Sequence, residues 1–159
     1  MNPDFQAVIA ASDVERRDLF LGTAARLGTA VQNIEKDFWV CWTLDALFNG
    51  LAAGGPRLLF KGGTSLSKAF GLISRFSEDI DITVFRDDLG QRVDVAELDA
   101  LSGKKRRARL DAIRMACQRY IAGPLFEQFN QLAASIIPNA RFRLDIDPED
   151  KDGQTHLFW

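Results

Sequence analysis

The sequence predicts an α+β fold, a small mixed β-sheet flanked by helices. Two observations predict it: apolar residues recur at helical spacing in several long segments, and shorter segments between and after them alternate strictly between apolar and polar residues. With 159 residues, 47% of them hydrophobic and 26% charged, the chain is large enough for one domain with a packed core. We expect that domain to span 1–159, with N-terminal helices in 1–50 and a catalytic sheet with its helices in 57–159.

The first half of the chain predicts two helices, then a strand and a third helix. Ser12 is placed to cap the first helix and Gly28 to end it. The second helix is apolar on nearly all sides, so we expect it to be deeply packed. Gly62-Gly63 separates the strand from the third helix. The predicted helices cover 12–27, 33–49 and 64–73, and the strand covers 57–60.

The second half predicts one long helix between alternating segments. Ile80, Ile82 and Val84 alternate with polar residues, which is typical of a half-buried strand. The helix begins in a basic run, and Gly123-Pro124 marks a break in it. Asp152-Gly153 is a hairpin signal. The predicted strands cover 79–85, 141–147 and 155–159, and the helix covers 104–129.

The bulk composition narrows the classes of function. With 20 basic and 22 acidic residues the formal net charge is −2, so any binding of nucleic acid must rest on local patches. No apolar stretch approaches the roughly 20 residues that span a bilayer, and there is no signal peptide pattern. Cys41 and Cys117 are expected to be buried reduced thiols, which is consistent with a cytoplasmic protein.

Two short motifs carry the chemistry. Glycines 62 and 63 lie between a strand and a helix, where backbone N–H groups can approach an anion with no Cβ in the way. Asp79 and Asp81 are two apart on a strand, so their side chains leave on one face, where they repel unless a cation lies between them. Hard oxygen ligands suit Mg²⁺. A phosphate cradle beside two carboxylates predicts metal-assisted phosphoryl or nucleotidyl transfer, with Lys68 and Arg75 as further phosphate contacts.

Each part also has a plainer interpretation. A Gly-Gly pair alone is usually a turn, an Asp-x-Asp pair is often a solvated sheet face, and Ser77 could be a turn or cap residue. The basic run at 104–109 could contact RNA phosphates, but a solvated helix start is the interpretation that the sequence favours. Because His156 is the only histidine, a His-rich metal cluster is excluded.

The spacing of these motifs resembles a known family. Gly62-Gly63 followed by Asp79-Ile80-Asp81 resembles the DNA polymerase beta-like nucleotidyltransferases. More narrowly, residues 61–66 (KGGTSL) with 75–81 (RFSEDID) resemble the AbiEii/AbiGii toxin family of type IV toxin–antitoxin systems, and the upstream segment 35–40 (EKDFWV) is similar to that family as well.

The resemblance implies transfer of a nucleotide from NTP with Mg²⁺ or Mn²⁺, to RNA such as the acceptor end of tRNA, or to a protein, with an antitoxin as partner. It implies that Asp79 and Asp81 are catalytic and bind the metal, and that Ser77 is a site of self-modification. The nucleotide-binding residues would be Lys61, Gly62, Gly63, Thr64, Ser65, Lys68 and Arg75.

In one respect the sequence departs from the family. The superfamily usually supplies a third carboxylate from a neighbouring strand, and here Asp145 and Asp147 are the candidates; an exposed hairpin strand is their plainer interpretation. The resemblance also implies a further acidic strand and a C-terminal helical region with basic catalytic residues. We expect these past Trp159, with the core truncated at its C-terminus.

Two other functions stay open on the sequence alone. One is a non-catalytic nucleotide-binding or interaction module with the same fold, and the other is a small-molecule nucleotidyltransferase that modifies an antibiotic. The sequence separates these poorly, because the choice of acceptor depends on loops rather than on the fold.

Overall fold

The computed structural model describes residues 1–72, 79–138, 142–146 and 157–158, and these form an α+β fold as predicted. The strands β1–β4 are Leu58–Lys61, Asp81–Val84, Asp145–Ile146 and Leu157–Phe158. The helices α1–α7 are Pro3–Ala10, Asp13–Leu27, Val31–Asp45, Gly62–Lys68, Val95–Ala100, Gly103–Tyr120 and Phe126–Ile136.

Capping side chains and a glycine determine where the first two helices begin and end. The Ser12 side chain accepts from the Glu15 backbone and the Glu15 side chain accepts from the Ser12 backbone, a capping box that starts α2. Gly28 ends α2 in the left-handed region. Helix α1, which the sequence reasoning missed, has the same kind of signal, because Asn2 caps it and Pro3 is its first residue.

The core lies between the N-terminal helices and α7. Its buried members come from α1, α3, α7 and the segment that leads into β3: Ile9, Trp42, Ala46, Phe129, Ala133, Ile137 and Leu144. Helix α3 is extended by a π-helical turn, Ala46–Gly50, so the helical segment reaches the predicted end. The deep packing expected of this helix is confirmed around Trp42, which is only 2% exposed, but not at Phe48, which is 43% exposed.

The described strands form two antiparallel pairs rather than one mixed sheet, a correction to the predicted sheet. β1 pairs with β2, and β3 pairs with β4. β2 starts at Asp81, opposite Lys61, and not at Asp79. The reason is that the chain leaves β1 at Gly62, so no strand residue remains for Asp79 to pair with. Asp79 therefore precedes the strand.

Helices α6 and α7 form one helical segment from Gly103 to Ile136. A π-helical turn, Ile121–Leu125, accommodates Pro124, so the break predicted there is absorbed without ending the helix. The sequence missed both α5 and the 3₁₀ turn Arg86–Leu89. No helix in the described ranges has the length and apolar character to cross a membrane.

β3 pairs with β4, which confirms the antiparallel pairing of the predicted C-terminal hairpin, but β3 is only Asp145–Ile146, and the described residues 142–144 of the predicted strand lie outside it. The turn signal Asp152-Gly153 and the residues Asp147 and His156 lie outside the described residues. Both cysteines are free thiols, partly rather than fully buried, and burial raises the pKa of Cys41 and of Cys117.

Candidate active site

The glycine turn after β1 lies directly against Asp81. Gly62 has φ +76°, a backbone conformation that side chains rarely adopt. A Cβ built on Gly62 would overlap a carboxylate oxygen of Asp81 and come within 2.9 Å of its Cγ. The backbone conformation therefore favours glycine at this position, and a side chain there would also force the Asp81 carboxylate to move. This contact brings together the two motifs that the sequence placed about twenty residues apart.

A second contact connects the same turn to Asp79. The Thr64 hydroxyl donates to the Asp79 carbonyl at 2.5 Å, and the Ser65 hydroxyl donates to the Gly62 carbonyl at 2.8 Å. Both hydroxyl residues are buried. Although Thr64 and Ser65 were predicted as nucleotide contacts, the bonds described here connect them to the protein backbone.

Lys61 and Asp81 share the exposed face of the hairpin β1–β2, whereas Asp79 lies before β2. Lys61 stands opposite Asp81, so both side chains leave the sheet on one face. These two residues and Asp79 are exposed, whereas Phe60 and Ile82, the next opposite pair, point to the other face and are half-buried. Solvent and a ligand can therefore reach both carboxylates and the ammonium group.

Lys68 lies at the far end of α4 and is paired. Its ammonium forms an ion pair with the Asp37 carboxylate of α3, and burial lowers the pKa of Lys68. Sequence reasoning gave Asp37 no role of its own. The available signal was its place in the segment 35–40, where Asp37 directly precedes the apolar run 38–42.

The predicted third carboxylate is engaged elsewhere. Asp145 forms an ion pair with Arg143. Among the residues that the structure describes, no three acidic, histidine or cysteine side chains come together as a metal site. The structure therefore brings Asp81 and Asp79 to the glycine turn but does not bring Asp145 to them. Arg75 and Ser77 lie outside the described residues, and their roles stay predictions.

The arrangement fits a hard divalent cation bound beside a phosphate. Two exposed carboxylates supply oxygen ligands of the type that Mg²⁺ prefers. The missing Cβ at Gly62 leaves the backbone open next to one of them. Mg²⁺ usually takes only one or two protein carboxylates and completes its shell with water and substrate phosphates, so two aspartates are sufficient.

Comparison with protein families gives one match. The model of the family described as nucleotidyl transferase AbiEii toxin, type IV toxin–antitoxin system, matches residues 45–158. The upstream segment 35–40, which carries Asp37, lies outside that range. Neither the curated proteins nor the solved structures contain a significant match. Because the matched range covers more than half of the chain and includes the glycine turn and both aspartates, the chain belongs to the AbiEii family of nucleotidyl transferase toxins of type IV toxin–antitoxin systems.

Proposed function

We propose that this chain is a nucleotidyltransferase that uses Mg²⁺, or Mn²⁺ in its place, to transfer a nucleotide from NTP to RNA, and that it acts in the cytoplasm as a toxin with a protein antitoxin as partner. The observation that supports this most directly is the seating of Gly62 on the Asp81 carboxylate. The antiparallel pairing of Lys61 with Asp81 brings the glycine turn and the carboxylate together, and the missing Cβ leaves the backbone of the turn open beside a candidate metal ligand. The 1–159 chain acts as one domain in this proposal.

Asp79 and Asp81 would hold the metal. When bound, Mg²⁺ would neutralise phosphate charge and orient the triphosphate. Both carboxylates are exposed; the Asp81 side chain lies against the turn, and the Asp79 backbone carbonyl accepts from Thr64, two residues after Gly62. Carboxylate oxygens are the ligands that Mg²⁺ prefers, which favours a metal site at this turn.

The glycine turn and Lys61 would bind the triphosphate. The backbone N–H groups of Gly62 and Gly63 need no side-chain clearance, and the Lys61 ammonium is on the same face as Asp81. Thr64 and Ser65 would act indirectly, because their hydroxyls hold the turn to Asp79 and to itself. Arg75 and Ser77 keep their proposed roles as a phosphate contact and a site of self-modification.

An exposed basic run at the start of α6 favours RNA as the acceptor. Residues 104–107 (KKRR) are all exposed, and the first turn of α6 contains no acidic residue. Positive side chains at a helix N-terminus oppose the helix dipole, so helix stability does not explain them. On a chain with net charge −2 they form a local positive patch suited to a phosphate backbone.

The test is transfer of label from each of the four NTPs, with Mg²⁺ and total RNA, by the wild-type chain and by Asp79→Asn and Asp81→Asn. We expect label on RNA that both variants abolish. Asp111→Asn is the matched control, since it neutralises a carboxylate in an exposed ion pair with Arg114 on α6. Asp145→Asn separates the two-aspartate site from a three-carboxylate site, because only the latter loses activity.

The outcomes separate the alternatives. Label on the protein itself would favour self-modification or a protein acceptor over RNA. NTP binding without any transfer would contradict the enzyme and favour a nucleotide-binding module. Label on an added aminoglycoside but not on RNA would favour an antibiotic-modifying enzyme.

A further inference from the structure

The ion pair between Asp37 and Lys68 joins α3 to α4. Both side chains are partly buried, with 36% of Asp37 and 21% of Lys68 exposed. An opposite charge stabilises an ammonium group that is partly removed from water, and Asp37 supplies that charge. The pair connects the N-terminal helices with the helix that follows the glycine turn.

Helices α3 and α4 differ in the amount of packing that fixes their positions. Helix α3 is fixed by aromatic packing: Trp42 belongs to the core, Trp39 contacts its ring, and Phe38 contacts Trp39 in turn. Asp37 is next to Phe38 in the chain, so its carboxylate is presented from a rigid helix.

Helix α4 has seven residues, too few to be stable alone. Its apolar side chain Leu66 is 42% exposed, so apolar packing contributes little there. Two of its side-chain bonds reach other parts of the chain: Thr64 donates to the Asp79 carbonyl near one end, and Lys68 pairs with Asp37 at the other. These two bonds therefore contribute to the position of α4.

The first residue of α4 is Gly62, the residue seated on Asp81. A displacement of the helix would move this turn relative to the carboxylate. We propose that Asp37 is a positioning residue for the nucleotide site: through Lys68 it holds α4 against α3 and so keeps the Gly62 turn on Asp81, and Lys68 itself does not touch the nucleotide. The inference rests on the proposed function in taking NTP as the ligand.

The test compares three variants of the full chain: Asp37→Asn, Lys68→Met and the charge swap Asp37→Lys/Lys68→Asp. One measurement is hydrogen exchange of the α4 amides, and the other is calorimetric binding of each of the four NTPs with Mg²⁺. We expect either single variant to speed α4 exchange and weaken NTP binding by about tenfold, and the swap to restore most of both, since a reversed pair still holds the helices. Asp37→Glu, which keeps the charge, should stay close to wild type.

Asp111→Asn should change neither measurement. The proposal is overturned if the single variants leave α4 exchange unchanged. It is also overturned if the swap restores exchange but not NTP binding, because Lys68 would then contact the nucleotide directly. If the wild-type chain bound no NTP, the proposed function would fail, while the exchange data would still decide whether Asp37 seats α4.

Discussion

At the scale of single residues, the site depends on the absence of a side chain at Gly62. Its φ of +76° and its overlap with Asp81 mean that any Cβ meets both backbone strain and a carboxylate. Gly22, inside α2, presents the opposite case, since a Cβ there would meet nothing within 4 Å. We therefore expect the substitution of glycine by alanine to have opposite effects on stability at Gly62 and at Gly22.

Gly62→Ala is expected to destabilise the chain by about 1–2 kcal/mol, the cost of the left-handed conformation for a residue with a Cβ. It should also weaken NTP binding by about tenfold, because Asp81 must move. Gly22→Ala should stabilise α2 by about 0.5–1 kcal/mol and leave binding unchanged. Thermal denaturation and calorimetry measure both. Normal NTP binding by Gly62→Ala would contradict the site.

Thr43 makes a prediction about the core. Thr43 is 4% exposed, and its side-chain hydroxyl has no hydrogen-bond partner among the described residues. Thr43→Val replaces the hydroxyl with a methyl group, which we expect to raise the free energy of unfolding by about 1 kcal/mol. Thr43→Ser keeps the hydroxyl and loses the methyl group, so it should destabilise. If Thr43→Val unfolds more easily than wild type, then the hydroxyl has a partner after all.

At the scale of elements, side chains hold short segments to their neighbours. The entry to β1 is joined to the 3₁₀ turn Arg86–Leu89 by Arg57, whose backbone N–H and guanidinium both donate to Asp88. The guanidinium also lies 4.5 Å from the Phe85 ring centroid. The hydrogen bonds from the side chain and backbone of Arg57 lower the pKa of Asp88.

The ion pair between Arg57 and Asp88 predicts that the stability of the fold depends on pH. Because the folded pKa of Asp88 lies below its unfolded value, the ionised carboxylate stabilises the fold above the unfolded pKa, about 3.9. That contribution is lost as pH falls through the lower folded pKa. Asp88→Asn should therefore melt at a lower temperature than wild type near neutral pH, and the difference should shrink as the pH falls below about 4. A difference that stays constant with pH would contradict the charged pair.

At the scale of the whole molecule, one aromatic core holds the N-terminal helices to α7. Trp42 contacts Trp39 within α3 and Phe129 of α7, with ring centroids 5.9 Å apart in each case. Since α3 also presents Asp37 to α4, the core and the site are connected through a single helix.

Trp42→Ala is expected to lower the free energy of unfolding by about 3–5 kcal/mol, because it leaves a large cavity in the core. Val14→Ala, at a residue 69% exposed on α2, should change it by no more than about 0.5 kcal/mol. Urea denaturation measures both. A small effect at Trp42 would mean that the helices are not held by this cluster.

The residue patterns alone were enough to predict the α+β class, the ends of α2, and the glycine and aspartate motifs, because caps, periodicity and short motifs are local. The mixed sheet and the earlier start of β2 were wrong, because strand pairing depends on where the partner strand stops. The helix predicted over 64–73 ends at Lys68, because Gly71 just after it has φ +62°, which the helix cannot continue through. The interruption expected at Pro124 was wrong in another way, since a π-helical turn can absorb a proline.

Only the tertiary structure determines which oppositely charged side chain each charged residue contacts. The sequence predicted Lys68 as a phosphate contact and Asp145 as a third metal ligand, whereas the fold pairs them with Asp37 and Arg143. The fold also places Gly62 against the Asp81 carboxylate, a contact that the spacing of the two motifs along the sequence suggests but does not require. The physical reason is that charges and close contacts act through space, between residues whose separation along the chain carries no information about their distance.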